Sequence, residues 1–236
     1  MAKDIISIII PVLNEAAIIQ TTLRGLQRDS ALEIIVVDGG SVDETVTLAQ
    51  QMGVRVISLV GRGRAAQMNA GANIAQGEIL LFLHIDTQLP PDFDDLVSNT
   101  LEQPDVIAGA FELTIDGAER SLRWIEMLVK MRSHLFSLPY GDQAIFITKQ
   151  VFKDMGGYSD LPIMEDFEFI KRLKRQGKIA LAPGAVTTSS RRWQKLGVWK
   201  TTLINQLIII GYYLGVSPTK LSNFYRSQKC NKNHSS

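Results

Sequence analysis

Ile5–Ile10 is apolar at every position but Ser7, and a continuous run rich in β-branched residues fits a strand covered on both faces of a parallel sheet. Three similar runs follow within about eighty residues: Ile34–Val37, Val54–Leu59 and Ile79–Leu83. Helical spacing fills the gaps. Ile18, Leu23 and Leu26 recur on one face after Asn14, which can cap that helix. Asp43–Gln51 places acids in a first turn and Gly53 beyond its end, and Ala65–Ala75 is a small-residue helix closed by Gly77. Strands alternating with helices at this spacing predict an α/β chain with a Rossmann-like doubly wound, mainly parallel sheet flanked by helices.

The second half is less regular. It reads as a helix from Pro90-Pro91 to Leu101, a strand over Val106–Ile115, and an amphipathic helix over Arg120–Phe136. A strand over Ala144–Thr148, a helix over Glu165–Arg175 and a strand over Ile179–Leu181 follow, then a helix over Val198–Val216. Residues 227–236 read as a frayed polar tail.

Composition sets the outer bounds. With 236 residues and 45% hydrophobic content, the chain can bury a full core without staples, which excludes disorder. Its single cysteine, Cys230, cannot form an internal disulfide, and three histidines with one cysteine argue against structural zinc. The N-terminus lacks the basic stretch and cleavage pattern of a signal peptide, so a cytoplasmic location is expected. The net charge of +1 hides a split: residues 1–170 carry 24 acidic and 12 basic side chains, and residues 171–236 carry 13 basic and no acidic ones. That asymmetry suits an anionic partner at the C-terminal end.

In doubly wound sheets, ligands sit beyond the carboxyl ends of the strands. Here those ends are Pro11–Glu15, Asp38–Ser41, Gly61–Arg64 and His84–Asp86. Asp86, two residues past a leucine-rich strand, can hold a hard divalent cation shared with a diphosphate; alternatively it is a turn or capping residue. Asp38 can accept from a base or ribose edge while Gly39-Gly40 admit close backbone approach, or it can shape an ordinary βα turn. Asn14-Glu15 reads either as a contact or as a helix start. Gly61-Arg-Gly-Arg64 before a helix resembles a phosphate cradle, although it is neither a P-loop nor the dinucleotide fingerprint. Glu165-Asp166 either complements a helix dipole or supplies a base for an acceptor hydroxyl. Arg191-Arg192-Trp193 offers two guanidiniums and an aromatic face, or a solvated basic turn.

Together, Ile8-Ile-Ile-Pro11-Val-Leu-Asn14-Glu15, Val36-Val-Asp38-Gly-Gly-Ser41, Gly63-Arg64-Ala-Ala-Gln-Met-Asn69-Ala-Gly71, Phe82-Leu-His84-Ile-Asp86 and Glu165-Asp166 resemble the family 2 glycosyltransferases of GT-A fold. The resemblance runs from about residue 5 to 193. It implies inverting transfer of a sugar from a UDP- or GDP-linked donor with Mg²⁺ or Mn²⁺. By the same resemblance, Pro11, Glu15 and Asp38 surround base and ribose, Arg64 approaches the nucleotide, and Asp86 ligates the metal. Asp166 would be the general base, beside Glu165. His84 stands where the family's DxD motif has its first acid, a departure that leaves a neutral imidazole for that contact. Arg191-Arg-Trp193 is similar to the Q-x-x-R-W motif of processive members, with Ser189 in place of glutamine and no multi-span membrane region.

The resemblance implies a nucleotide-binding half at 1–103 and an acceptor half at 104–193, followed by a helical extension over 194–226. The small size, His84-Ile-Asp86 and Pro139-Tyr-Gly-Asp-Gln143 look most like a compact bacterial subgroup associated with radical-SAM genes and arsenosugar biosynthesis. That similarity makes Asp142 and Gln143 acceptor-side candidates. The acceptor is then a small or lipid-linked molecule, and nucleic acid is not expected.

Two other readings fit parts of the chain. A sugar-nucleotide pyrophosphorylase shares the Rossmann-like start, but its glycine- and arginine-bearing loop follows the first strand, whereas here that loop follows the third. A non-enzymatic membrane-surface protein could use the basic end and the apolar stretch Leu203–Val216. Those 14 residues fall short of the roughly 20 needed to cross a bilayer. With so little polar face, they are expected to pack on the core or form a homodimer contact, with peripheral membrane contact as the alternative.

Overall fold

The computed structural model describes residues 5–27, 32–136 and 139–230. Its first half follows the alternation read above: β1 (Ile6–Val12), α1 (Ile19–Leu26), β2 (Leu32–Asp38), α2 (Thr45–Gln51), β3 (Arg55–Ser58), α3 (Arg64–Ile74) and β4 (Ile79–Phe82). The second half holds β5 (Thr87–Gln88), α4 (Phe93–Leu101), β6 (Val106–Asp116), α5 (Arg120–Phe136), β7 (Phe146–Thr148) and α6 (Lys149–Asp154). After these come α7 (Glu165–Leu173), β8 (Lys178–Ser189), α8 (Arg191–Leu196), α9 (Val198–Tyr213) and α10 (Pro218–Cys230).

The strands form one eight-stranded sheet in the order β3-β2-β1-β4-β7-β6-β8-β5. β1 runs parallel to β2 and β4, β2 to β3, and β6 to β8, while β7 and the short β5 pair antiparallel. The expected α/β architecture is present.

Alternation along β1 explains the two-sided core. Ile6, Ile8 and Ile10 join Leu23 and Phe111 on one face of the sheet, and Ile9 joins Met68, Phe152 and Phe169 on the other. Each fully buried isoleucine contributes about 1.5–3 kcal/mol, so β1 is committed to the centre of the sheet. Helix α3 lies close against it: a Cβ on Gly71 would come within 2.5 Å of Ile9 Cγ2, so the small residues of α3 set its approach.

Ser7, the polar interruption in β1, is fully buried yet satisfied. Its hydroxyl donates to Glu33 Oε2 at 2.5 Å and accepts from the Gly77 N–H at 2.9 Å. Glu33 also accepts from the Gln76 N–H at 2.7 Å, joining β1, β2 and the segment entering β4. Burial alone would raise the Glu33 carboxyl, but the Ser7 hydroxyl and the Gln76 and Gly77 amides more than reverse this, and its pKa is lowered. A depressed carboxylate stabilises the fold above its unfolded pKa, and that contribution fades as pH falls through its folded value. Glu33→Gln should therefore cost about 1–2 kcal/mol in urea melts at pH 7. The gap to the parent should close well below pH 4.5; an equal gap at both pH values would disprove the linkage.

Several boundaries differ from the sequence reading. The expected strand Ile179–Leu181 runs on to Ser189 as β8, because β6 pairs with it in parallel past a register shift near Ala110/Glu112. Asn14 does not cap α1. That helix begins after Ile18, and Asn14 sits at φ 56°, with its side chain accepting from the Val42 N–H at 2.9 Å. The expected helix over Val198–Val216 is present as α9, ending at Tyr213, with the separate helices α8 before it and α10 after it. Helix α10 carries residues 227–230 of the expected tail, and 231–236 lie outside the described residues.

Candidate active site

The carboxyl ends of the parallel strands form two adjoining regions. In the first, the turns after β1, β2 and β3 are knitted together. The Gly39 N–H donates to Val12 O, the Asn14 N–H to Ser41 Oγ and the Gly61 N–H to Gly39 O. The buried Gln67 of α3 ties them from beneath, its side-chain amide donating to Val12 O and Val37 O at 3.0 and 2.8 Å. Asp38, also buried, accepts from the Gly40 and Ser41 N–H groups at 2.9 and 3.1 Å. It therefore shapes the turn that Pro11, Asn14 and Glu15 face.

The second region is a cavity of about 440 Å³. Arg64, His84 and Asp86 enter it from the β3–α3 and β4–β5 turns, Glu165 and Asp166 from the first turn of α7, and Asp142 and Trp193 from the second half of the chain. Glu165 is only 3% exposed and accepts from Arg64 Nε at 2.5 Å; Arg64 Nη1 lies 3.1 Å from His84 Nε2. Loss of solvent works against the Arg64 charge, but the carboxylates of Glu165 and Asp166 more than reverse this and hold the guanidinium firmly protonated. Burial pushes the Tyr158 phenol behind them well above its ordinary value.

Asp166 is held differently. Its Oδ2 accepts from the Gly141 N–H at 2.8 Å and its Oδ1 from the Phe167 N–H at 2.7 Å. Gly141 allows this close approach, since a Cβ would stand 3.0 Å from Asp166 Oδ2 and 3.3 Å from His84 Nε2 and would press on both. The carboxylate is thereby fixed in place by backbone donors at the edge of the cavity.

The two regions meet at Arg191. Its Nη2 stands 3.5 Å from both Glu15 Oε2 and Asp86 Oδ2. Burial raises the Glu15 carboxyl, Arg191 pulls it back, and Asp86 adds to the rise. The long strand β8 makes this meeting happen: Thr187 and Thr188 pair with β5, and the Ser189 N–H donates to Asp86 O at 3.1 Å. The chain then enters α8 directly beside Asp86. Trp193 is 8% exposed, and its indole N–H finds no acceptor among the described residues, an arrangement suited to a polar ligand atom. Arg192 lies in the same helix, with its side chain outside the described residues.

One candidate is corrected. Gln143 is fully buried and cannot meet an acceptor. Its Oε1 accepts from Arg132 Nη2, Ser133 Oγ and the Tyr140 N–H, each at 3.1 Å, and its Nε2 donates to Phe111 O at 2.8 Å. It locks the 3₁₀ turn Gly141–Gln143 whose first N–H reaches Asp166. Gly-Asp-Gln reads equally well as a turn, and only packing shows the glutamine pointing inward.

Other contributors were not among the candidate site residues. Asn69 clamps the backbone of Tyr158 from both sides, its Oδ1 accepting from the N–H and its Nδ2 donating to the carbonyl. Tyr225 and Arg226 reach the cavity from α10, whose sequence shows no clear apolar stripe.

For a metal ion, Asp86 is a single carboxylate. Among the described residues, no group of three or more His, Cys, Asp or Glu side chains could hold one. One carboxylate fits a hard divalent cation whose remaining ligands are diphosphate oxygens and water, the usual arrangement for Mg²⁺. A donor bound beside Asp86 would complete such a site.

Comparisons with known proteins agree with this fold. The family model described as Glycosyl transferase family 2 matches residues 7–156. A PGL/p-HBAD biosynthesis glycosyltransferase of Mycobacterium bovis is 39% identical over 97 residues, covering 38% of this chain and 38% of its own length. An undecaprenyl-phosphate 4-deoxy-4-formamido-L-arabinose transferase of Pseudomonas paraeruginosa is 30% identical over 141 residues, covering 54% of this chain and 41% of its own length. The chain thus spans about two fifths of the curated relatives it matches. Among solved structures, the mannosyltransferase PcManGT of Pyrobaculum calidifontis, in complex with GDP-Man and Mn²⁺, superposes with a TM-score of 0.67 at 19% identity. That match covers 88% of this chain and 63% of the other, and shows a shared fold.

Proposed function

The chain belongs to glycosyl transferase family 2, and from that premise we propose that it transfers a sugar, with inversion, from a nucleotide-diphosphate donor to an acceptor hydroxyl. One observation carries the reading: Arg64, His84, Asp86 and Asp166, from three separate segments, line one cavity beside the knitted turns of Pro11–Glu15 and Asp38–Ser41. The knitted turns would take base and ribose, and the cavity would take the sugar and acceptor. The apolar wall of Ile208, Ile209 and Tyr225 favours an acceptor with an apolar portion, as a lipid-linked one has.

The chain's own residues account for the steps. Asp166, pinned by the Gly141 and Phe167 amides, accepts the proton of the acceptor hydroxyl as that oxygen attacks the anomeric carbon. The bond from the anomeric carbon to the diphosphate oxygen breaks on the opposite side, and the nucleoside diphosphate departs with the electron pair. Arg64, oriented by Glu165, and Arg191 supply positive charge near the departing group. Asp86 would hold Mg²⁺ or Mn²⁺, which when bound neutralises diphosphate charge. Arg191 lies on Asp86 and would have to move aside or share the carboxylate when the donor binds.

A panel of UDP- and GDP-sugars tests this reading. The chain should bind or slowly hydrolyse at least one donor in a Mn²⁺-dependent way, and Asp86→Asn should weaken that by about tenfold or more. Pyrophosphate release from a nucleoside triphosphate and a sugar phosphate, without donor hydrolysis, would instead establish a pyrophosphorylase. The narrower placement beside the compact subgroup linked to radical-SAM genes and arsenosugars rests on His84-Ile-Asp86 and Pro139–Gln143. It would be carried by transfer to a small nucleoside-derived acceptor. A cytoplasmic site of action is part of the same proposal.

A further inference from the structure

Helix α9 is apolar on two opposite sides. Val198, Ile204 and Ile208 face inward, with Ile204 and Ile208 packing against Phe167 and Leu221. Trp199, Leu203, Leu207, Ile210 and Leu214, at spacings of four, four, three and four, form one stripe that is exposed along its whole length, with Trp199 at 73% and Leu203 at 60%. Helix α5, which touches α9, repeats the pattern. Its Leu122, Ile125 and Ser133 are buried, while Trp124, Met127, Leu128 and Met131 form an outward stripe. Two adjacent helices with large apolar side chains on their solvent sides exceed the scattered exposure of an ordinary surface.

We infer that the outward faces of α5 and α9 seat this chain on an anionic lipid bilayer, with the acceptor cavity alongside. Charge selects that occupant. Helices α9 and α10 carry no acidic side chain, and their Lys200, Lys220 and Arg226 are exposed. A symmetric dimer through the same face would bring these cations together with their copies, whereas an anionic leaflet neutralises them. Among the described residues no helix is long and apolar enough to cross a membrane, so the face lies on the bilayer instead of spanning it. The opposite side of α9 and the adjoining α10 line the cavity with Asn205, Ile208, Ile209, Tyr225 and Arg226. One helix pair thus meets both the lipid and the reaction chamber. That link to the acceptor rests on the proposed transfer; the docking face itself does not.

The sequence expectation that α9 packs on the core is met by its inner face only. Tryptophans near both helix starts, Trp124 and Trp199, suit the headgroup region, and each basic group near an anionic leaflet strengthens binding by roughly fivefold.

Flotation of the full chain with phosphatidylcholine–phosphatidylglycerol vesicles tests the inference. Co-flotation is expected, weakened at least fivefold on phosphatidylcholine alone and by high salt. Leu203→Ser with Leu207→Ser should reduce it about tenfold or more, and so should Trp124→Ser with Met131→Ser on the other helix. Both pairs are solvent-exposed and outside the cavity, so thermal melting and donor hydrolysis in lipid-free buffer should stay near those of the parent. Absent flotation on anionic vesicles, or flotation unaffected by either pair, overturns the inference. So does lipid-free self-association that both pairs abolish, because a second copy would then cover the face. A parent chain that hydrolyses a donor but never floats would count against the docking alone, and one that floats but never hydrolyses a donor would count against the transfer alone.

Discussion

Asp166→Asn should lower turnover by about 10²–10⁴-fold while leaving donor affinity within about twofold. The substitution keeps the shape of the group. The asparagine Oδ1 can still accept one of the two backbone N–H groups now held by the carboxylate, from Gly141 at 2.8 Å and Phe167 at 2.7 Å. What disappears is an oxygen able to take the acceptor proton. Donor binding should survive because Asp166 lies on the α7 side of the cavity, while the residues proposed for the nucleotide lie in the turns after β1, β2 and β3. The kinetic signature is a fall in kcat with little change in the KM for donor. Turnover within threefold of the parent would remove Asp166 from the chemistry, and the acidic residue of the neighbouring turn, Asp142, would be the next to substitute.

Arg64→Ala should be the most damaging single change to the cavity floor. Glu165 is 3% exposed, and its Oε1 accepts from Arg64 Nε at 2.5 Å. Removing the arginine leaves that carboxylate buried without its cation, a far costlier state than losing an exposed ion pair. Because Arg64 itself is 41% exposed, water can reach part of the gap, and the loss is discounted to about 2 kcal/mol, or roughly 4–8 °C in Tm. Glu165→Gln should cost less, near 1 kcal/mol, since the half-exposed guanidinium can turn to solvent. Combined, the two changes should cost less than their sum by about 1–2 kcal/mol, the mark of a direct coupling. Arg64 also stands 3.1 Å from His84 Nε2, so Arg64→Ala should weaken donor binding as well as stability. Strict additivity in the cycle would mean that Arg64 and Glu165 are held by other contacts and not by each other.

The departure at His84 gains a physical account from this arrangement. An acid there would place a further negative charge beside Glu165 and Asp166, which already share Arg64. An imidazole can share Arg64 without adding to the negative charge.

β1, β2 and β4 were legible because each is an aliphatic run buried on both faces, a pattern that local sequence carries unaided, whereas β3 is a partly exposed strand at the sheet edge. The polar turns at their ends were legible for the same reason, since a polar, glycine-bearing break has to stand at the strand's end. Of β8 only the start, Ile179–Leu181, was: Pro183 and Gly184 interrupt the rest, which continues as strand because β6 pairs with it on both sides of a register shift. Gln143 illustrates a different limit. Nothing within Pro139-Tyr-Gly-Asp-Gln143 distinguishes a solvent-facing glutamine from one whose amide is used up by Arg132, Ser133, Tyr140 and Phe111. Asn14 misled for the same reason, because its partner Val42 lies across a turn 28 residues away.

By itself, the sequence determined which segments would be buried strands, where the chain would break for a ligand, and which ionisable groups would be near those breaks. Only the tertiary structure decided which of them meet: Arg64 with Glu165 across 101 residues, Arg191 with both Glu15 and Asp86, and the Gly141 amide with Asp166. The reason is one of range. Strand and helix patterns arise from neighbours a few residues apart, whereas the pairing of charges depends on how separate elements stack on the sheet.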